Sequence, residues 1–406
     1  MKRIRSIDDL KTVASTTNHI LTLFSGGLDS TYLLEILSKY PVKITALAVD
    51  MGDGIEKEQL ETITSHYGVD LIIVDAQQRF VDTAIIPAIQ AQAKYLNMYP
   101  VSSSLSRPVI ASYALEYAEK LNCGAIVHTA NQSQNSLRRL NGSIKSSGFN
   151  GYYGTPYEYS AITREQKTKV LALSGLSEFK ERNISGDSNL WCRKYESGVL
   201  DNPENFTVPE DLFQWFAYNK SKQVEHLNDQ ISISFKAGVP TAINYIPMTL
   251  IELISHLNIV IGAYQVGRYV GLEHLDEGEK VLEVREAPAA TALMDTYKYL
   301  ETAVHDAELM REKNILEQIW TREAVEGKWG SPLHGAARQF IRSTTEKVTG
   351  TVTFYLRQGE MFPKSIMATD SLYLTDRDAW EVDVAKSRGM RELPPVTPQQ
   401  ILENVA

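Results

Sequence analysis

Ser25-Gly26-Gly27-Leu28-Asp29-Ser30-Thr31 follows a compact apolar run, Ile20–Phe24, and leads into a stretch where Tyr32, Leu33, Ile36 and Leu37 recur at helical spacing. A glycine pair between a strand and a helix lets backbone N–H groups converge on an anion at the helix N-terminus. Gly26 and Gly27 allow positive φ and close approach of the main chain to phosphate oxygens, and Ser25, Ser30 and Thr31 add hydroxyls. No lysine stands where Gly-x-x-x-x-Gly-Lys-Ser/Thr has one, so this is not a kinase-type cradle. Asp29 is the odd member. A carboxylate beside a triphosphate costs energy unless a cation lies between them, and Mg²⁺ on Asp29 would resolve the conflict.

The flanking pattern predicts an α/β fold. Ile20–Phe24, Ile44–Val49, Leu71–Val74 and Ala125–His128 read as short buried strands, and Ser30–Tyr40, Glu56–Tyr67 and Leu105–Leu121 as helices between them. That alternation is the signature of βαβ units and a parallel sheet, whose ligands sit at the carboxyl ends of the strands. Gly148–Gly154 and Leu200–Pro209 read as loops. A mixed α+β region follows, with a strand at Ile231–Phe235 turned by Gly238-Val239-Pro240, a long helical stretch at Leu293–Ile319, a shorter one at Phe340–Lys347 and a strand at Gly350–Leu356. The expected division is 1–172, 173–370 and a loosely packed arm, 371–406.

With 406 residues, 43% hydrophobic and 22% charged, the chain has the composition of a globular protein. A net charge of −9 disfavours a nucleic-acid surface. Cys123 and Cys192 give neither a disulfide framework nor metal-ligand spacing. No secretory signal or membrane-length apolar run is present, so a cytoplasmic setting is expected. Cys192 and the cluster Tyr152-Tyr153, Tyr157, Tyr159 read more simply as packed residues than as a sulfur carrier or a base-stacking platform.

Ser-Gly-Gly-x-Asp-Ser/Thr after a buried strand resembles the pyrophosphate-binding loop of N-type ATP pyrophosphatases. The rest of the chain resembles the argininosuccinate synthase family within that group. The resemblance runs through Phe80-Val81-Asp82, Ile86–Ala91, Tyr99–Pro108, His128–Arg139, Asn189-Leu190-Trp191, Gly198-Val199-Leu200, Asn202-Pro203, Gly238-Val239-Pro240, Glu286–Thr291 and Ser331–Val352. It implies a parallel-sheet nucleotide domain of the HUP-like type followed by an α+β synthetase and multimerisation domain. It implies ATP across Ser25, Gly26, Gly27, Asp29, Ser30, Thr31, Val49, His128, Thr129 and Asn135, with Mg²⁺ at Asp29. Ser25, Asp29 and Arg107 become the candidate catalytic residues. The family adenylates the ureido oxygen of citrulline, releases pyrophosphate, and lets the aspartate amine displace AMP. It also implies a homotetramer, with a dimer as the alternative.

The substrate positions agree only in part. Tyr99, Ser104, Asn135, Arg139 and Ser185 match the family's citrulline contacts, and Ser103 keeps the hydroxyl of an aspartate-contacting threonine. Lys194 stands in place of a citrulline-contacting serine, Val266 of the glutamate facing the α-ammonium, and Arg285 of a tyrosine. Asn131 replaces a threonine and Ser136 an aspartate at the amine-donor site. A pocket lined by Lys194, Arg285 and Arg139 is expected to favour a carboxylate or phosphate. The expected activity is therefore AMP-forming ligation, through a ureido, amide or carboxylate oxygen, of an acceptor other than citrulline, one that lacks a free α-amino group or carries extra negative charge, to aspartate or another amine. The alternatives are argininosuccinate synthase itself and a non-catalytic nucleotide-binding regulator.

Overall fold

The computed structural model describes residues 2–176, 184–216, 229–275 and 278–389. Six strands form a parallel sheet in the order β1-β8-β7-β2-β3-β4: β1 (Lys2–Ile4), β2 (His19–Leu23), β3 (Lys43–Asp50), β4 (Asp70–Asp75), β7 (Ala125–Val127) and β8 (Tyr152–Gly154). β2 leads outward through β3 to β4 on one side, and the later strands β7 and β8 lie on its other side. The order reverses beside β2, and Ser25–Thr31 leaves the carboxyl end of that strand, where such sheets open a crevice. The four expected strands all form. Gly148–Gly154, expected as a loop, ends in β8, whose Tyr152, Tyr153 and Gly154 pair with β1 and β7.

A two-residue hairpin, β5 (Lys94–Tyr95) with β6 (Tyr99–Pro100), precedes the helix Ser103–Lys120. Beyond it stand two antiparallel sheets. One is ordered β14-β15-β10-β9, from β9 (Ser185–Ser188), β10 (Arg193–Glu196), β14 (Arg268–His274) and β15 (Lys280–Glu286). The other is ordered β13-β12-β11-β16-β17, from β11 (Gln230–Lys236), β12 (Val239–Ile243), β13 (Ile246–Pro247), β16 (Gly350–Arg357) and β17 (Glu360–Ala368). This is the mixed second region.

Its expected single helix at Leu293–Ile319 is two, Pro288–Val304 and Ala307–Val325. His305 adopts an extended backbone, and Asp306 caps the next helix by accepting from the Leu309 N–H at 2.8 Å. The helix expected at Phe340–Lys347 starts earlier, at Pro332, behind the Ser331 cap, and ends at Ser343. The arm forms a helix, Arg377–Ser387, that buries no residue; residues 390–406 lie outside those described.

The largest core belongs to both regions. Phe80, Ile85 and Ile89 pack in one cluster with Leu253, Leu257, Leu293 and Tyr297. The parallel sheet carries its own cores on its two faces, one with Leu33, Leu34 and Leu37, the other with Ala111, Ala114 and Ile144. The sheet ends and the antiparallel β9–β10 pair are thus held facing each other by continuous packing.

Candidate active site

A cleft of about 1050 Å³ opens between them. One wall is Ser25–Ser30 with Val49, His128 and Thr129. The opposite wall is Ser185, Asp187, Lys194 and Glu196, with Arg107 and Ser136 between the two.

Gly26 carries φ +70°, so the loop needs glycine for its backbone, and a Cβ there, 2.5 Å from Leu60 Cδ2, would also displace that methyl. Gly27 caps the helix Leu28–Leu37 without any side-chain acceptor. Its first-turn amides therefore have no capping side chain and lie beside the cleft, as phosphate binding requires. Ser25 Oγ lies 3.4 Å from Ser30 Oγ, and Ser30 donates to the Gly27 carbonyl at 3.1 Å. Thr31 does not belong with them. It is fully buried, its Oγ1 has no partner among the described residues, and it does not line the cleft.

His128 lines the cleft but uses both ring nitrogens internally. Nδ1 accepts from the Ala130 N–H at 3.3 Å, and Nε2 donates to Asn141 Oδ1 at 3.1 Å. Burial pushes its pKa down to about 4, so it stays neutral and offers no proton to a phosphate.

Asp29 already has a cation on one of its oxygens. Its Oδ1 lies 2.7 Å from the Lys167 ammonium, which is almost wholly buried and stands 4.4 Å from the Tyr157 ring centroid. Among the described residues no group of three His, Cys, Asp or Glu side chains is placed to hold a metal ion. The donor set at Asp29 therefore does not fit a protein-held Mg²⁺. The sequence reading missed Lys167 because it lies 138 positions away in the chain, on the helix Arg164–Leu173.

Arg107 is held for work in the cleft. Its NH2 donates to Asp187 at 2.8 Å and its Nε to Ser136 Oγ at 3.0 Å. Asp187, also missed, sits on β9 two residues after Ser185. Burial raises its pKa, but Arg107 and Lys194 outweigh that and hold the carboxyl below the usual range. This pair joins the two walls.

The three cations expected to attract an anion are already paired. Lys194 lies 3.0 Å from Glu283 and 3.1 Å from Glu196. Arg285 pairs with Glu273 at 2.6 Å and with Glu283, and its guanidinium stands 4.5 Å from the Tyr99 ring centroid. Arg139 pairs with Glu273 and donates to Ser103 Oγ and the Val325 carbonyl. Asn135 also donates to Glu273, at 2.9 Å. Strand register explains the assembly. Lys194 sits directly opposite Arg285, so two like charges meet, and carboxylates two residues along the same faces, Glu196 and Glu283, compensate them. The alternating Lys-x-Glu and Glu-x-Arg spacings were the signal available in the sequence.

Tyr99, Ser103, Ser104, Asn135, Arg139 and Arg285 are all buried and do not line the cleft. The Tyr99 hydroxyl has no partner among the described residues. Asn131 does not line the cleft either, and its Oδ1 accepts from Ser133 at 2.8 Å. Val266 packs in the apolar core. Of the expected substrate residues, Ser136, Ser185 and Lys194 line the cleft. The reason for expecting an anionic acceptor is thereby removed: Lys194, Arg285 and Arg139 face Glu196, Glu273 and Glu283, charge for charge.

Cys192 is fully buried with its pKa raised to about 11 by desolvation, which is a packed thiol and not a sulfur carrier. No helix among the described residues is long and apolar enough to cross a membrane.

Comparison with known proteins agrees with this geometry. Residues 19–175 match the arginosuccinate synthase N-terminal HUP domain, and residues 184–393 the arginosuccinate synthase C-terminal domain. Argininosuccinate synthase of Dictyoglomus thermophilum is 29% identical over 341 residues, 83% of this chain and 84% of that protein. That of Pyrococcus furiosus is 31% identical over 359 residues, 87% and 86% of the two chains. Among solved structures, the NH3-dependent NAD synthetase of Campylobacter jejuni aligns over 43% of this chain and 72% of its own, at 16% identity and a TM-score of 0.30. Two family models together spanning most of the chain, and relatives matched over most of both lengths, establish that this chain belongs to the argininosuccinate synthase family.

Proposed function

We propose that the protein is an ATP-dependent, AMP- and pyrophosphate-forming carbon–nitrogen ligase whose acceptor carries a carbonyl oxygen but lacks citrulline's free α-ammonium. Ligase chemistry follows from the family; the acceptor is read from the pocket. An unactivated amide, ureido or carboxylate carbonyl is a poor electrophile, and its oxygen leaves well once it is esterified to phosphate. The acceptor oxygen attacks the α-phosphate, the bond to the β-phosphate breaks, and pyrophosphate leaves with the electron pair. The amine then adds to the activated carbon and displaces AMP. Arg107, fixed by Asp187 and Ser136 between the walls, is suited to stabilise the charge that develops on the α-phosphate. Mg²⁺ is expected to arrive with ATP.

One observation carries the acceptor reading. Among the described residues the carboxylates around Lys194, Arg285, Arg139 and Arg107 are already committed: Asp187 to Arg107, Glu196 to Lys194, and the buried Glu273 and Glu283 to Arg139, Arg285 and Lys194. Val266, at the position matching the family's ammonium-facing glutamate, offers only methyl groups. Without that glutamate, citrulline's ammonium loses a charge-assisted bond worth about 1.5–3 kcal/mol, roughly 10- to 150-fold in affinity. Calorimetric titration of citrulline in the presence of a non-hydrolysable ATP analogue tests this, with no measurable heat of binding expected. Micromolar binding would sink it.

A second reading, argininosuccinate synthase itself, is favoured by the 29–31% identity to proteins of that name and by the matching Tyr99, Ser104, Asn135, Arg139 and Ser185. It requires Arg285 and its glutamates to move aside for citrulline. The proposal also carries a homotetramer, in keeping with Leu372, Leu374 and Trp380 left exposed on the arm.

A further inference from the structure

The helix Arg164–Leu173 touches the phosphate loop, yet nothing above gives it a task. Thr163 and Gln166 cap it reciprocally, Thr163 Oγ1 accepting from the Gln166 N–H at 3.2 Å and Gln166 Oε1 from the Thr163 N–H at 2.9 Å. The cap fixes where the first turn points. Arg164 and Lys167, three residues apart, share one helical face. Arg164 lines the cleft, and its guanidinium has no partner among the described residues. Lys167 is nearly buried, and Asp29 is the only hydrogen-bond acceptor its ammonium has among the described residues. Tyr157 completes the fixation: its ring lies against the ammonium, and its hydroxyl donates to the Asp29 carbonyl at 2.9 Å. A nearly buried ammonium with one carboxylate partner, beside an arginine with no partner among the described residues, needs an explanation that packing does not give.

We propose that this helix is a cationic clamp for the pyrophosphate half of the nucleotide, with Lys167 the built-in counter-ion of Asp29 and Arg164 the arginine that binds the departing phosphates. Lys167 removes the conflict between Asp29 and a triphosphate that a divalent cation was expected to remove. Asp29 can then remain in the first helical turn without repelling the ligand. Arg164 supplies the fork-shaped donor set that suits phosphate oxygens, and it lines the same cleft as Ser25–Ser30. Lys167 acts through Asp29 and is a positioning residue; Arg164 is a binding residue. The clamp rests on the nucleotide half of the proposed function and is independent of the acceptor.

The test uses the full-length protein and inorganic pyrophosphate itself, titrated calorimetrically in EDTA and again with Mg²⁺. Wild type binds pyrophosphate in EDTA. Arg164→Gln, an exposed change that leaves the fold alone, weakens that binding about 10- to 100-fold, the scale of one charge-assisted contact. Lys167→Met exposes the Asp29 charge to the ligand and weakens binding in EDTA by a similar factor, with part of the loss recovered by Mg²⁺. Asp29→Asn in the Lys167→Met background restores binding, because the charge that needed the lysine has gone. A merely structural lysine would show no such rescue. If Lys167→Met does not fold, Arg164→Gln and Asp29→Asn alone still decide: the first must weaken binding, and the second must not. Wild-type binding that requires Mg²⁺, an unchanged Arg164→Gln, or a double variant no better than Lys167→Met overturns the clamp. Pyrophosphate that fails to bind under either condition overturns instead the nucleotide half of the proposed function.

Discussion

Glu273→Gln should be the most damaging single change in the acceptor region, and Glu283→Gln, two strand positions from Arg285, a mild one. Glu273 holds Arg139, Arg285 at 2.6 Å and Asn135 at 2.9 Å, with a side-chain exposure of 2%. Burial raises its pKa, but Arg139, Arg285 and Lys194 outweigh that and hold the carboxyl well below the usual range. Removing its charge leaves the buried Arg139 guanidinium facing only neutral oxygens, those of Ser103, Val325 and the new amide. Breaking one side of a buried pair costs about 3–5 kcal/mol. With an unfolding entropy near 2.1 cal/mol/K per residue over roughly 400 residues, about 4 kcal/mol corresponds to a fall in Tm of about 5 °C.

Glu283 shares Arg285 with Glu273 and shows the opposite behaviour. Burial is the largest influence on it and raises its pKa despite Arg285 and Lys194. Arg285 keeps Glu273, and Lys194 keeps Glu196, when it is neutralised, so the loss should stay under about 2 kcal/mol. The signs with pH also differ. A lowered native pKa adds stability above the unfolded value, lost as pH falls through the native one; this is Glu273. A raised native pKa adds stability at low pH, lost as pH rises through the native value; this is Glu283. Thermal melts of wild type and both variants at about pH 3, 5 and 7 check this, the lowest pH probing Glu273 and the upper two Glu283. Equal losses for the two variants, or a larger one for Glu283→Gln, would refute the assignment of the buried charge to Glu273.

Other outcomes follow from the same coordinates. Gly142→Ala drives a Cβ to within 1.9 Å of the Gly327 carbonyl oxygen and should cost about 1–3 kcal/mol by urea titration, an overpacking cost. Gly26→Ala must hold φ +70° against Leu60, and calorimetry should show ATP-analogue affinity falling at least about tenfold with the melt little changed. Cys123 and Cys192, both with pKa raised to about 11 by burial, should resist Ellman's reagent at pH 8 until urea is added, when both react. Light scattering should return four times the 45.5 kDa chain mass.

The sheet was legible where strands are buried on both faces, because Ile20–Phe24 and Ile44–Val49 are then continuous apolar runs. β1 and β8 were not legible. Each is three residues long, and they become strands only by long-range pairing, Lys2-Arg3-Ile4 with Tyr152-Tyr153-Gly154 and the latter also with β7. The phosphate loop was legible because glycines, a helix start and a misplaced carboxylate lie within seven residues. The partners of its charges were not. Lys167 reaches Asp29, and Glu273 reaches Arg139, from 138 and 134 positions away. Charges read in isolation look free, and the expected anion-binding pocket arose in this way. Only the strand register that sets Lys194 against Arg285 shows that carboxylates must stand beside them.

Pyrophosphate release tests the central claim most directly. The protein is supplied with MgATP and aspartate, together with either citrulline or a panel of amide, ureido and carboxylate acceptors that lack a free α-amino group. Release is expected with a member of the panel and background with citrulline. Release with citrulline and none with the panel would contradict it.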